Sequence, residues 1–462
     1  MYNIGFHDFK KLQDAIFINF EELGSDFTEI KGISTDSRTI QPGEVFWALV
    51  GESFDGHAFL RTAAEKKAKF AVVQAGKAEF SEIENFGLVT VPDTLKALQQ
   101  LGHIQRMKYD IPVIAVTGSN GKTTVKEMTH HILSSKMNVH KTEGNFNNHI
   151  GCPLTLLKLL PEHQAAVIEL GMNHVGEIAA LSEIASPNQA VVTDVSGAHL
   201  EFFGSIEAIA REKLSLFDCL PAGSTIYKNL DNPYTAAYHN SELDEITFSS
   251  EKEADVIGKI NSVDQAGCAN FTLNDKVDIQ LQISGVHNVK NALAAAAVAI
   301  KLGLSEAEIR DALENFQAYS KRMQIIQWND VTIINDAYNA NPSSMKAAFD
   351  TVKRMIKRGK LILALGSMFE LGNKSLDMHR EVLTEALDLQ PVSICVMGSD
   401  FEKAAETMKD KTQTLILTFK DHEALSQRLR SELSDGDILL VKGSRGMTME
   451  KVLQYLTGNS LN

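Results

Sequence analysis

The chain alternates short apolar runs with helix-periodic polar stretches, and the alternation changes character twice. Over residues 1 to 108, segments such as "EVFWALV", "KFAVVQ" and "GLVTV" are separated by turn signals including Pro42-Gly43 and Asp55-Gly56, which predicts short strands and helices. From Val113 the runs "VIAVTG", "AAVIELG" and "QAVVTDVS" alternate with amphipathic stretches, the pattern of an α/β domain with a mainly parallel sheet. A polar segment with strand-like alternation, around 224 to 284, reads as an insert before the helical "GVHNVKNALAAAAVAIKLG". After "FQAYSKRM" a third block begins, and its strands "LILALGSM", "SICVMGSD" and "DILLVKGSR" all finish in Gly-Ser before a helix. A doubly wound sheet shows this at its ligand-binding carboxyl edge. The expected domains are 1–108, 109–317 and 318–462.

Composition narrows the picture. A chain of 462 residues with 44% hydrophobic content can bury several cores, consistent with three domains. No stretch of 18 apolar residues offers a membrane span, and "MYNIGFHDFKKLQD" interrupts the apolar core that a signal peptide needs, so a cytoplasmic location is expected. Cys152, Cys219, Cys268 and Cys395 are far apart without a CxxC pair, which predicts reduced thiols in core positions. A formal charge of −14 argues against nucleic-acid binding. Any anionic ligand must therefore be held by local devices.

One such device is "VIAVTGSNGKTTVKEM". The usual phosphate loop has a glycine five positions before the Gly-Lys, and here that position is Val116. The shorter Thr117-Gly118-Ser119-Asn120-Gly121-Lys122-Thr123-Thr124 keeps the same physics. Glycines admit backbone N–H groups close to an anion, Lys122 adds a point charge, Thr123 can ligate Mg²⁺, and the helix dipole favours negative charge. Glu169 in "VIELGMN" stands at a neighbouring strand end, either as a metal ligand or as a carboxylate facing water. His199 in "DVSGAHLEFFGS" is either a second ligand or a satisfied loop histidine.

In "SIEAIAREKLSLFDCL", helical periodicity puts Ile206, Ile209, Ala210, Leu214, Phe217 and Leu220 on one face, with Lys213 in its middle and Arg211, Glu212 and Ser215 pointing away. A lysine there either snorkels or loses its proton, and a neutral amine can react with CO₂ to give an anionic carbamate. Asn288 and Asn291, three apart at a helix start, suit an amide face reading a base edge, or helix capping by Asn288. "VTIINDAYNANPSSM" sets Asp336, Tyr338, Asn339 and Asn341 at the carboxyl end of a strand before a Pro-started helix, and Arg322 could reach a phosphate across an interdomain cleft. "TEGNFNNHIGCP" and "STDSRTIQPGEVFWALVGESFDGHAF" are loop segments, either ligand-binding or ordinary turns. "VKGSRGM" offers Lys442 and Arg445 as carboxylate holders, or simply a loop after a strand.

Taken together, "TGSNGKTT", "GNFNNHIG", "IELGMN", "AREK", "HNVKNALAA" and "NDAYNANPSSM" with "GSMFELG" resemble the Mur ligases, over nearly the whole chain. The resemblance implies three α/β domains: a uridine-nucleotide domain, a central phosphate-loop ATPase, and a Rossmann-like doubly wound domain for nucleotide and incoming dipeptide. It implies ATP-dependent joining of D-alanyl-D-alanine to UDP-N-acetylmuramoyl-tripeptide in peptidoglycan precursor synthesis, by a monomer. Lys122 and its loop would hold ATP phosphates; Thr123 and Glu169 one Mg²⁺; His199 and carbamylated Lys213 a second. Asn288 and Asn291 would face adenine, Asp336 the ribose and Arg322 the terminal phosphates. Asn147 and Asn148 would touch the muramoyl group, and Thr35, Ser37 and Arg38 the uridine diphosphate, with Tyr338, Asn339 and Asn341 also on the substrate side. Two positions depart from the family pattern: Ser215 where an acidic residue is frequent, and Asn335 in place of the first of two aspartates. The rivals are a ligase adding the third amino acid, whose Asp-Asn-Pro-Arg motif is absent, and a retired nucleotide-binding regulator.

Overall fold

The computed structural model describes residues 2–20, 30–77, 86–317, 321–355, 359–409 and 412–458. Three sheets follow one another along the chain. The first comprises β1 (Ile16–Ile18), β2 (Gly32–Ser34), β3 (Glu44–Trp47), β4 (Ala71–Gln74) and β5 (Leu88–Val91), ordered β1-β5-β4-β3-β2 and parallel except for β1.

The second sheet has nine strands. They are β6 (Val113–Thr117), β7 (Val139–Lys141), β8 (Ala165–Glu169), β9 (Gln189–Val192), β10 (Thr225–Asn229), β11 (Asp244–Ser249), β12 (Val256–Val263), β13 (Cys268–Leu273) and β14 (Val277–Ser284). Their order is β14-β13-β12-β11-β10-β9-β6-β8-β7. The polar segment read as an insert is thus a continuation of this sheet: β10 and β11 add in parallel, and β12 to β14 close it as antiparallel hairpins. Strand periodicity explains the layering. Ile114 and Val116 face a core with Val125, Met128 and Leu293, from the helices Lys122–Leu133 and His287–Lys301, while Val113 and Ala115 face Ile178, Ile209 and Phe217 on the other side.

The third sheet contains β15 (Gln324–Trp328), β16 (Val331–Asp336), β17 (Leu361–Gly366), β18 (Ser393–Met397), β19 (Leu415–Phe419) and β20 (Ile438–Lys442), ordered β15-β16-β20-β17-β18-β19 and parallel except for β15. The three strands ending in Gly-Ser, β20, β17 and β18, are neighbours, so their carboxyl ends form one edge. The expected boundary at 317/318 abuts residues 318–320, outside the described ones. Among the described residues no helix is long and apolar enough to cross a membrane. Cys152, Cys268 and Cys395 are buried free thiols, but Cys219 is exposed, because it caps the end of the helix Ile206–Asp218.

Candidate active site

Placement of β6 in the middle of the second sheet decides what surrounds its loop. β8 on one side ends at Glu169, and β9 on the other runs into Thr193 and Asp194. The loop itself is folded tightly onto that second neighbour. Ser119 N–H donates to Asp194 O (2.7 Å), and Thr193 Oγ donates to Asn120 O (2.6 Å). Gly118 has φ +151°, and a Cβ there would sit 2.0 Å from Thr193 Oγ; Gly121 has φ +83°, with Asn291 Oδ1 at 2.4 Å from a Cβ. Both positions require glycine for conformation and for space. The helix Lys122–Leu133 starts at Gly121 with no side-chain cap, so its first-turn N–H groups stay available to an anion. Lys122 Nζ donates to Gly118 O (2.7 Å), and its pKa is pushed down, chiefly by burial.

Glu169 is 2% exposed. Its Oε1 accepts from Asn147 Nδ2 (2.8 Å), whereas Oε2 has no hydrogen-bond partner and lies 3.8 Å from Lys126 Nζ. A buried carboxylate oxygen left unbonded beside a phosphate loop fits a hard cation. Among the described residues no group of three or more His, Cys, Asp or Glu converges there. The Thr123 hydroxyl accepts from Arg322 Nη2 (2.9 Å), which brings the third domain directly onto the loop. Asn341 Nδ2 and Ser343 Oγ grip Asn120 from the same side, at 3.0 and 2.7 Å.

A cavity of about 890 Å³ is lined by Ser119 through Thr124, Asn147, Asn148, Glu169, His199, Asn288, Asn291, Arg322, Asp336, Tyr338, Asn339 and Asn341. Thr117, Gly118 and Lys213 are not among its lining residues, nor are Thr35, Ser37 and Arg38. Lys213 is 1% exposed and, among the described residues, makes no hydrogen bond or ion pair. Burial drives its pKa well down, helped by Lys122 and opposed by Asp194 and Glu212.

Sequence comparison matches residues 29–106 to "Mur ligase family, catalytic domain", 116–299 to "Mur ligase middle domain" and 321–445 to "Mur ligase, glutamate ligase domain". The chain belongs to the Mur ligase family. It is 34% identical over 441 residues to the UDP-N-acetylmuramoyl-tripeptide–D-alanyl-D-alanine ligase of Bacillus subtilis, spanning 94% of this chain and 95% of that one. To the same-named Escherichia coli enzyme it is 35% identical, with 96% and 97% spanned. A crystal structure of MurF from Acinetobacter baumannii superposes with a TM-score of 0.88 at 31% identity, covering 98% of this chain and 99% of that chain. MurF ligase from Thermotoga maritima in complex with ADP gives 0.82 at 26%, covering 92% and 97%. As a Mur ligase the chain is an ATP-dependent amide-forming enzyme.

In this Mur ligase the expected facing of the helix Ile206–Asp218 needs correction, and the candidate ligand-binding side chains have partners within the protein. Glu212 does not face solvent: it is 7% exposed and accepts from Gly176 N (2.8 Å) and Ile178 N (2.9 Å), satisfying the start of the helix Glu177–Ala185. Leu216 takes the buried place expected of Leu214, and Ile206 is exposed. Asn288 Nδ2 donates to Ser284 O (2.7 Å) and Asn291 Nδ2 to Asn288 Oδ1 (2.8 Å), one N–H of each amide; the helix start has no side-chain cap from Asn288. Asn148 Oδ1 accepts from Ile150 N and Gly151 N. Arg38 is bound to Asp36 (2.7 Å), holding that exposed carboxyl at about 2. His199 Nδ1 lies 2.5 Å from Glu370 Oε2, so a carboxylate from the third domain already engages it. Both departures are absorbed locally, Ser215 Oγ donating to Glu212 O and Asn335 Oδ1 accepting from Ala337 N.

Sequence reasoning missed Lys126 and Glu127. Lys126 is fully buried, donates to Thr142 O (2.7 Å) and lies 2.9 Å from Glu127 Oε1, while Glu127 Oε2 lies 2.5 Å from Lys141. A signal was present: Lys126, Thr129 and Leu133 follow i, i+3, i+7 spacing, which extends the apolar face over the lysine.

Proposed function

We propose that this Mur ligase joins the terminal carboxylate of UDP-N-acetylmuramoyl-tripeptide to the amine of D-alanyl-D-alanine, converting ATP to ADP and phosphate. The carrying observation is that the phosphate loop from Ser119 to Thr124, Glu169 and the strand-end residues Asp336, Tyr338, Asn339 and Asn341 line one cavity. A carboxylate is a poor acyl donor because its leaving group is oxide. Its oxygen therefore attacks the γ-phosphorus in line as the bond to the β–γ bridging oxygen breaks, giving an acyl phosphate. The dipeptide amine then attacks the carbonyl carbon, the C–O bond to phosphate breaks, and the amine gives up its proton.

Two anions must meet in the first step, and cationic Lys122 and Arg322 offset their repulsion. Thr123 and Glu169 would hold one Mg²⁺, with His199 and a carbamate on Lys213 at a second; bound there, the ions neutralise phosphate charge. Asp336 serves the ribose and the Asn288–Asn291 pair the adenine. Asn147 and Asn148 serve the muramoyl group, with Tyr338, Asn339 and Asn341 on the acceptor side. The first domain, 1–108, takes the uridine diphosphate through Thr35, Ser37 and Arg38, with 109–317 and 318–462 as the other two units. The enzyme works as a cytoplasmic monomer. Contacts of Arg322, Asn341 and Glu370 with the central domain keep water from the acyl phosphate.

The test is phosphate release from ATP with purified UDP-muramoyl-tripeptide, with and without D-alanyl-D-alanine. Release that needs both, with a pentapeptide product by mass, is expected. No release with tripeptides ending in either meso-diaminopimelate or L-lysine overturns the reaction.

A further inference from the structure

The strand β20 and the turn after it carry two cations into the cavity, and the structure separates their roles. Lys442 is committed: it is 2% exposed, with Nζ on Asp336 Oδ2 (2.5 Å) and Asn339 O (3.0 Å). Arg445 is different. Its side chain is 57% exposed, and its hydrogen bond to protein runs from Nη1 to Glu450 Oε1 (2.8 Å). Glu450 is buried, and the same Oε1 also accepts from Lys321 Nζ at 3.1 Å. A guanidinium anchored through one terminal nitrogen keeps its Nε–H and Nη2–H edge in the fork geometry that receives a carboxylate bidentately. We propose that Arg445 binds the C-terminal carboxylate of the incoming dipeptide; the assignment rests on the reaction proposed above.

Distance supports it. Arg322, bonded to Thr123 of the phosphate loop, marks the phosphate end. Its guanidinium carbon lies 3.9 Å from the Tyr338 ring centroid, and that of Arg445 lies 5.8 Å from the same centroid. The two guanidinium groups are therefore separated by no more than the sum of those distances. An extended dipeptide spans on the order of 7 Å. With a contact at each end, that length can place its amine at an acyl phosphate beside Arg322 and its carboxylate at Arg445. Phe369 supplies an apolar wall for the methyl groups. Its N–H donates to Ser444 Oγ (2.9 Å), its ring is 47% exposed, and a Cβ on Gly446 would approach that ring to 2.6 Å.

The experiment compares D-alanyl-D-alanine with its C-terminal carboxamide as acceptor for the full chain, wild type, Arg445→Ala and Arg445→Lys. Losing a bidentate charge-assisted contact should raise the dipeptide KM roughly 10- to 100-fold in Arg445→Ala. KM for ATP and tripeptide should stay unchanged. Wild type should prefer acid over amide by a similar factor, Arg445→Ala should accept both alike, and Arg445→Lys should fall between. The acid-to-amide ratio does not depend on the folded fraction, so a merely structural role leaves it unmoved. An Arg445→Ala enzyme with the wild-type ratio overturns the assignment alone. A wild-type chain that makes no pentapeptide overturns the reaction and this assignment with it.

Discussion

Two lysines of the central domain are equally buried and differ in everything else. Lys126, behind the phosphate loop, has a carbonyl and a carboxylate within 3 Å and a second carboxylate at 3.8 Å. Lys213, on the helix Ile206–Asp218, is 1% exposed and, among the described residues, has no bonded partner. A buried ammonium with satisfied donors is a structural element, whereas one without partners raises the free energy of the fold unless it sheds its proton or is modified. The contrast teaches where to look for chemistry: burial alone does not separate the two side chains, and pairing does.

The largest expected effect comes from Lys213→Ala. If the residue carries a carbamate in the reaction, its loss should lower the ligation rate on the order of 10³-fold, as for removal of a group that stabilises developing charge. Short-chain carboxylates added to the assay should restore part of it. An unaltered rate, or a loss that no carboxylate rescues, removes the carbamate.

Next in size is Lys126→Met, which sharpens the other side of the contrast. It leaves Thr142 O without its donor and Glu127 with Lys141 as its remaining cation. Breaking one partner of a buried pair costs about 3 kcal/mol, read as a lowered midpoint in denaturant unfolding followed on the central domain. A Lys126→Met/Glu127→Gln double variant should recover part of that loss, because the unpaired charge goes too. A single variant as stable as the wild type would mean that the pairs around Lys126 contribute little.

How far these roles were legible depends on whether they are local. The strand–glycine–lysine–helix order gave away the phosphate loop, and helical spacing exposed Lys213, since both signals lie within about a dozen residues. Glu212 was misread because the same spacing placed it outward, while the fold puts the N-terminus of another helix against it. Contacts such as His199 with Glu370 and Asn120 with Asn341 join residues far apart in the chain and on different domains. No periodicity reports them. The Asn288–Asn291 spacing was legible, yet not that one N–H of each amide turns to Ser284 O or to Asn288 Oδ1, because hydrogen-bond direction depends on atoms that the letters do not place.

The smallest effect is also the most direct measure of the contrast, and it concerns stability against pH. Burial holds the Lys213 pKa in the folded chain well below that of the free side chain. Between the two values the unfolded chain binds the extra proton, so the lysine's contribution to stability rises with pH across that interval and levels off above about 10.4. At neutral pH the residue therefore weighs against folding. Lys213→Met, which keeps the volume and removes the amine, should be more stable than the wild type at pH 7 in CO₂-depleted buffer, with the gap closing as pH is raised towards 10. Calorimetric unfolding at a series of pH values reads this directly. A gap that stays constant, or a variant less stable than the wild type at pH 7, would show that Lys213 has partners that satisfy it, and would place it with Lys126 after all.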